Sequence, residues 1–154
     1  MELTSKMLDA LTLEAKQSPR LRMNRDMRTS INDNSQRMLN AIEPGSEVPV
    51  HRHPKSTETV AVIRGAVRQS FYEVVDEFEQ AGSELPMGQD AGDVLRCPSL
   101  QLVEQIVVEA GSPCPMYVVP AGMWHTTEAL VSGTIIFEAK DGKYGEDGSE
   151  SWGN

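Results

Sequence analysis

All three histidines of this chain fall at spacings that suit a shared metal ion. One segment reads Gly45-x5-His51-x-His53-x4-Glu58-x6-Gly65, and a second reads Pro120-x-Gly122-x-x-His125. Neutral imidazole offers a nitrogen lone pair near neutral pH, which makes histidine the commonest protein metal ligand. In an extended strand, side chains two apart project to one side. His51 and His53 therefore point together, with Arg52 turned away. Pro49 and Pro54 bracket them and narrow the local backbone freedom. The polar connection Lys55-Ser56-Thr57 is short enough to bring the Glu58 carboxylate back over both rings. His125 comes from a distant strand, aimed by the tight turn of Pro120-Ala121-Gly122. The candidate ligands are thus His51, His53, Glu58 and His125. Three nitrogens and one carboxylate oxygen suit one divalent transition metal, whether Zn, Fe, Mn, Ni, Co or Cu, and disfavour Ca and Mg. An ion with open positions would acidify a bound water or take a substrate oxygen.

Such a site needs a rigid support, and the hydrophobic periods supply one. Residues 3–17 carry Leu3, Met7, Leu8, Leu11 and Ala15 as a single apolar stripe, which predicts an amphipathic helix ended by Ser18-Pro19. Residues 20–36 are polar and basic and read as an arm of irregular chain with short extended pieces. From residue 37 the period shortens to that of strands. Strands are expected at 37–42, 59–63, 66–75, 105–108, 116–119, 124–130 and 134–140, with Glu43-Pro44-Gly45-Ser46 as a type II turn. Many short strands between Gly and Pro turns indicate an all-β sandwich or barrel. Residues 79–104, punctuated by Gly82, Pro86, Gly88, Gly92 and Pro98, break the rhythm. They read either as a long hairpin extension or as an insertion near a pocket mouth. The chain divides into a helix and arm (1–36), a barrel (37–144) and a loosely ordered tail (145–154) whose Trp152 could dock onto the body.

Bulk properties narrow the function classes. A chain of 154 residues is expected to form one domain with a real core. The net charge of −9 argues against nucleic acid as a partner. The charge is uneven: residues 1–37 hold seven basic and five acidic side chains, a balance of +2, and the remainder −11. Asp141, Glu146, Asp147 and Glu150 read as part of a solvated acidic surface. No apolar run approaches the roughly 20 residues that span a bilayer, and the first residues lack the apolar core of a signal peptide. The expectation is a cytoplasmic protein with no membrane partner. Cys97 and Cys114 form no paired motif and read as packed or loop residues. The methionines, Met23, Met38, Met87, Met116 and Met123 among them, read as core filler.

The two histidine segments resemble the signature of the cupin superfamily. The first fits without a gap. The second fits its P-x-G-x-x-H core, with Ala129 where many members carry Asn and Cys114 where they carry Gly. The wider chain is similar to the WbuC-like cupin-fold metalloproteins. The matching residues are Ser18-Pro19-Arg20-Leu21-Arg22, Gln36-Arg37, His51-Arg52-His53-Pro54, Trp124-His125 and Glu138-x-Lys140-x-Gly142-x-Tyr144. The resemblance implies a double-stranded β-helix with the metal held inside the barrel by His51, His53, Glu58 and His125. It also implies a link to bacterial surface-polysaccharide gene clusters. Cupin barrels often pair between subunits, which makes a homodimer the expected assembly, with the arm at 20–36 as a crossing segment.

Several side chains join the candidate site. Trp124 precedes a ligand and should pack on the opposite side of its strand. Glu138 and Lys140 share one strand face, either solvated or at the barrel mouth, where Glu138 would be a general acid or base. Tyr144 sits between glycines, as a lid residue or a surface residue. Arg37 would either reach an anionic substrate group or pair with an acidic neighbour. Glu138 and Tyr144 are the catalytic candidates. Three functions fit. The first is a metal-dependent isomerase or epimerase of a small polar molecule, such as a sugar or sugar nucleotide. The second is a mononuclear non-heme iron oxygenase, and the third a non-catalytic metal- or ligand-binding module.

Overall fold

The computed structural model describes residues 3–78 and 96–153. Most of the stretch 79–104, with Gly82, Pro86, Met87, Gly88 and Gly92, lies outside the described residues, as does the side chain of Cys97. The chain opens with α1 (Ser5–Gln17), where the Thr4 hydroxyl accepts from the Met7 amide at 3.4 Å. That cap satisfies one of the helix's orphan donors. Leu8, Leu11 and Ala15 are buried against Leu39, Ala41 and Ile135. Leu3, placed by period on the same stripe, precedes the helix and stays exposed.

Among the described residues ten strands follow, in two antiparallel five-stranded sheets. The first runs β1 (Arg22–Asp26), β2 (Ser35–Ile42), β9 (Thr134–Asp141), β4 (Glu58–Arg64), β7 (Met116–Val119). The second runs β10 (Glu150–Ser151), β3 (His51–Arg52), β8 (Trp124–Ala129), β5 (Ala66–Phe78), β6 (Arg96–Glu109). Alternation along the strands sorts the side chains. Ile42, Val60, Val62, Val67, Phe71, Val119 and Ile136 meet in the core between the sheets, while Leu39, Ala41 and Ile135 face α1. The fold is all-β with one N-terminal helix, as the periods indicate.

One element differs from the sequence reading, and a second decides between its two alternatives. Residues 22–26 form a full strand, β1, paired with β2 of the same chain from Arg22↔Ile42 to Asp26↔Met38. Their polar composition gives little strand propensity of its own; the pairing with an apolar neighbour decides. Residues 96–104 belong to the long strand β6, paired along β5, which is the hairpin extension of the two readings. Gly65, at φ +73°, joins β4 to β5 with Thr134 so close that an added Cβ would lie 2.4 Å from its hydroxyl. The tail is also tied down: β10 pairs with β3, and the Trp152 amide donates to the Val50 carbonyl at 2.9 Å. Trp152 docks edge-on against Trp124 at 5.2 Å, and the Arg52 guanidinium lies 4.7 Å over the Trp124 ring. Met38 is buried and Met23, Met27 and Met123 pack on the core, whereas Met116 is half exposed. No helix among the described residues is long and apolar enough to cross a membrane.

Candidate metal centre

Strand pairing brings the distant histidine home. His51 on β3 is the cross-strand partner of His125 on β8. The turn before β8 is locked to the first histidine segment, because the Gly122 amide donates to the His53 carbonyl at 2.9 Å. Gly122 sits at φ +81°, a conformation that other residues rarely adopt, which accounts for the glycine in this turn. One ring nitrogen from each of His51, His53 and His125 lies within 4.8 Å of the others. Neighbouring ligands of one ion at ~2.1 Å lie ~3.0–3.4 Å apart in octahedral or tetrahedral geometry, so the rings would close by up to ~1.8 Å to share one cation. Glu58, at the start of β4, enters the same space: its Oε2 is 3.6 Å from His125 Nε2 and 3.7 Å from His53 Nε2. His53, Glu58 and His125 are buried and His51 is half-buried.

The hydrogen bonds fix which nitrogens face inward. His51 Nδ1 is 2.9 Å from the Pro49 carbonyl, and His125 Nδ1 is 2.9 Å from the Met123 carbonyl. A carbonyl can only accept, so in the neutral ring each Nδ1 carries the proton and each Nε2 presents a bare lone pair. The buried Nε2 of His125 has no hydrogen-bond partner. It confronts the Glu58 carboxylate across 3.6 Å. Two electron-rich atoms held face to face in a buried site call for a proton or a metal cation between them, and a divalent metal fits this donor set. Burial first, then the neighbouring His125 and His53 rings, lower the His51 pKa to about 4, so that ring is neutral at physiological pH. Burial alone would raise the Glu58 pKa, but His125, His53 and Lys140 outweigh it and hold the carboxyl well below the usual range.

A supporting layer stands behind His53. The Ser149 hydroxyl is 2.8 Å from His53 Nδ1, and Lys140 Nζ is 3.1 Å and 3.2 Å from the two ring nitrogens. Asp147 draws that ammonium to 2.9 Å and accepts from Gln36 Nε2 at 3.1 Å. Asp147 is therefore buried rather than part of a solvated acidic surface. Burial opposes its ionisation, yet hydrogen bonds from Lys140, Ser149 and Gln36 keep its carboxyl well below the usual range. Sequence reasoning missed Asp147 and Ser149 because a Gly-rich tail has no period that would place them.

A cavity of about 190 Å³ opens beside the imidazoles, walled by His51, Glu58, His125, Asn40, Thr127 and Glu138, with Arg20 and Arg22 at its edge. An adjoining cavity of about 180 Å³ shares Asn40, Glu58 and Glu138 and adds Lys140 and Tyr144. Glu138 and Lys140 thus face the interior, not solvent. Burial, then the charge of Glu58, raises the Glu138 pKa to about 8. Tyr144 is 55% exposed with the Arg28 guanidinium 5.1 Å over its ring. Arg37 pairs with Asp33 at 2.6 Å, the acidic neighbour rather than the cavity. Cys114 is exposed.

Two facing antiparallel sheets with a histidine cluster between them define a cupin fold, and solved structures agree. An oxalate oxidase in complex with the substrate analogue glycolate superposes with a TM-score of 0.56 at 15% identity, over 88% of this chain and 57% of that one. Oxalate decarboxylase from Bacillus subtilis gives 0.51 at 19% identity, over 85% of this chain and 27% of that one. The chain spans little more than half the length of the oxidase. Residues 3–81 match the family described as a domain of unknown function, DUF6016, and the chain belongs to that family. No curated protein matches it.

Proposed function

We propose that this protein binds one divalent transition metal through His51, His53, Glu58 and His125 and acts on a small polar molecule held in the adjoining cavity. The observation that carries the reading is the buried, unpartnered Nε2 of His125 facing the Glu58 carboxylate. When bound, the metal would supply Lewis-acid polarisation of a substrate oxygen. The chain's own residues would do the rest. Glu138 faces the same cavity, and a carboxyl with a pKa of about 8 can give or take a proton near neutral pH. Lys140, anchored by Asp147, keeps a positive charge at the inner end. Tyr144 borders that end and would cover it. Proton transfer beside a polarised carbonyl is the chemistry of an isomerase or epimerase. The resemblance to WbuC-like cupins supports a sugar or sugar nucleotide, cytoplasmic and linked to surface polysaccharide, as the substrate.

A homodimer belongs to the same proposal. Strand β6 lies at a sheet edge and exposes Leu102, Val103 and Val107, an apolar row that a second copy would cover. The test of the metal site is elemental analysis of protein purified without added metal, beside His51→Ala and His125→Ala. One equivalent of transition metal in the wild type and its loss from both variants is the expected result. Equal metal content in all three would refute the site.

A further inference from the structure

We infer that Arg20 and Arg22 form an anion-recognition site at the edge of the metal cavity, reading a carboxylate or phosphate group on the small molecule that the cavity takes. The inference rests on the metal reading above and names the substrate class of that site.

The first observation is unspent charge. In a chain of net charge −9, carboxylates outnumber guanidinium groups, and among the described residues the six other arginines each hold one: Arg25, Arg28, Arg37, Arg52, Arg64 and Arg68. Among the described residues, no carboxylate pairs with Arg20 or Arg22. Arg22 Nη1 donates to the Ser46 hydroxyl and the Glu47 carbonyl, which orients the group without neutralising it. Both side chains border the cavity that holds His51, Glu58 and His125. Burial first, then the charge of the neighbouring Arg20, pushes the Arg22 pKa down.

The second observation is backbone strain between them. Leu21 has φ +54° and is the one non-glycine residue with positive φ among those described. A branched side chain rarely takes that conformation unless its surroundings impose it. Here three bonds do so. The Leu21 amide donates to the Ser18 carbonyl at 2.9 Å, the Glu43 amide to the Leu21 carbonyl at 2.9 Å, and the Ser46 hydroxyl to the Arg20 carbonyl at 2.9 Å. The turn is strapped to the 43–47 loop with both guanidinium groups at one cavity edge. Strain maintained in this way, next to a candidate metal, points to a positioned binding element rather than a passive arm.

The charge balance at the cavity agrees. A divalent ion and two arginines outweigh the carboxylates of Glu58 and Glu138 even with both ionised, so the lining is positive and calls for an anion. Planar guanidinium groups grip a carboxylate or phosphate through paired hydrogen bonds.

The experiment is calorimetric titration of the metal-loaded protein with malonate, inorganic phosphate and neutral glycerol. The comparison proteins are Arg20→Gln/Arg22→Gln, Arg20→Lys/Arg22→Lys and the Arg25→Gln control, with metal content measured on every sample. Wild type should bind at least one anion and not glycerol, and the preferred anion names the group read. The double glutamine variant should bind that anion about 10- to 100-fold more weakly with metal content unchanged. The lysine variant should fall between, and Arg25→Gln should match wild type. Equal affinity in wild type and the double glutamine variant, or no anion binding by wild type, would overturn the inference. Wild type lacking metal would instead sink the metal reading, and arginine-dependent anion binding would then still be measured on the metal-free protein.

Discussion

Glu138 offers a quantitative test of the cavity. Its carboxyl has a pKa of about 8 in the folded protein against 4.5 as the ordinary value, from burial first and from Glu58 second. Between those values the folded chain keeps a proton that the unfolded chain has released. Stability therefore falls as pH rises through the window, and the loss is complete once pH exceeds the folded value. Each pH unit of the window is worth about 1.4 kcal/mol, so the ceiling is roughly 5 kcal/mol. That is a large share of the roughly 5–15 kcal/mol typical of a domain. Glutamine keeps the shape and stays neutral at every pH, so Glu138→Gln escapes the loss. The assay is urea denaturation of metal-free wild type and variant at pH 5 and pH 8.5. The variant should gain on wild type by about 2–5 kcal/mol between the two conditions. Adding back a divalent metal should shrink that gain, because the cation offsets the charge of Glu58. A difference between the two proteins that does not change with pH would refute the reasoning and mean that the carboxyl reaches water.

Three further outcomes are expected. Asp147→Asn leaves Lys140 buried without its partner and should cost about 3 kcal/mol in denaturant unfolding, with weaker metal retention through His53. Leu11→Ala opens a hole between α1 and β2, where Leu11 is 1% exposed, and should cost about 2–5 kcal/mol while metal content stays at one equivalent. Trp152→Ala removes the edge contact with Trp124 and should loosen β10, read as faster amide exchange at Ser151 and Trp152 by hydrogen-exchange mass spectrometry.

The histidine ligands were legible in the sequence because strand alternation is local: His51 and His53 must share a side, and a P-x-G turn must precede His125. That His51 and His125 are direct cross-strand partners follows from register, which no local pattern states. Barrel strands with an apolar period, such as β4, β5, β8 and β9, were found nearly to their ends. Strand β1 was not, because Arg22, Asn24 and Asp26 carry no apolar alternation and pairing with β2 alone makes them extended. Glu138 and Lys140 were found as two charges on one strand face, but which way that face points depends on Ile136 entering the core two residues earlier. Asp147 and Ser149 were invisible, since it is the pairing of β10 with β3 that carries the tail to His53. Arg20 and Arg22 read as ordinary charges of a basic arm until the left-handed Leu21 turned both toward one cavity.

The central claim is that four remote side chains share one cation, and anomalous diffraction from crystals grown with cobalt or zinc tests it most directly. A single strong peak is expected at ~2.0–2.2 Å from Nε2 of His51, His53 and His125 and from a carboxylate oxygen of Glu58. A peak elsewhere, or none with the three rings unmoved at full metal concentration, would contradict it.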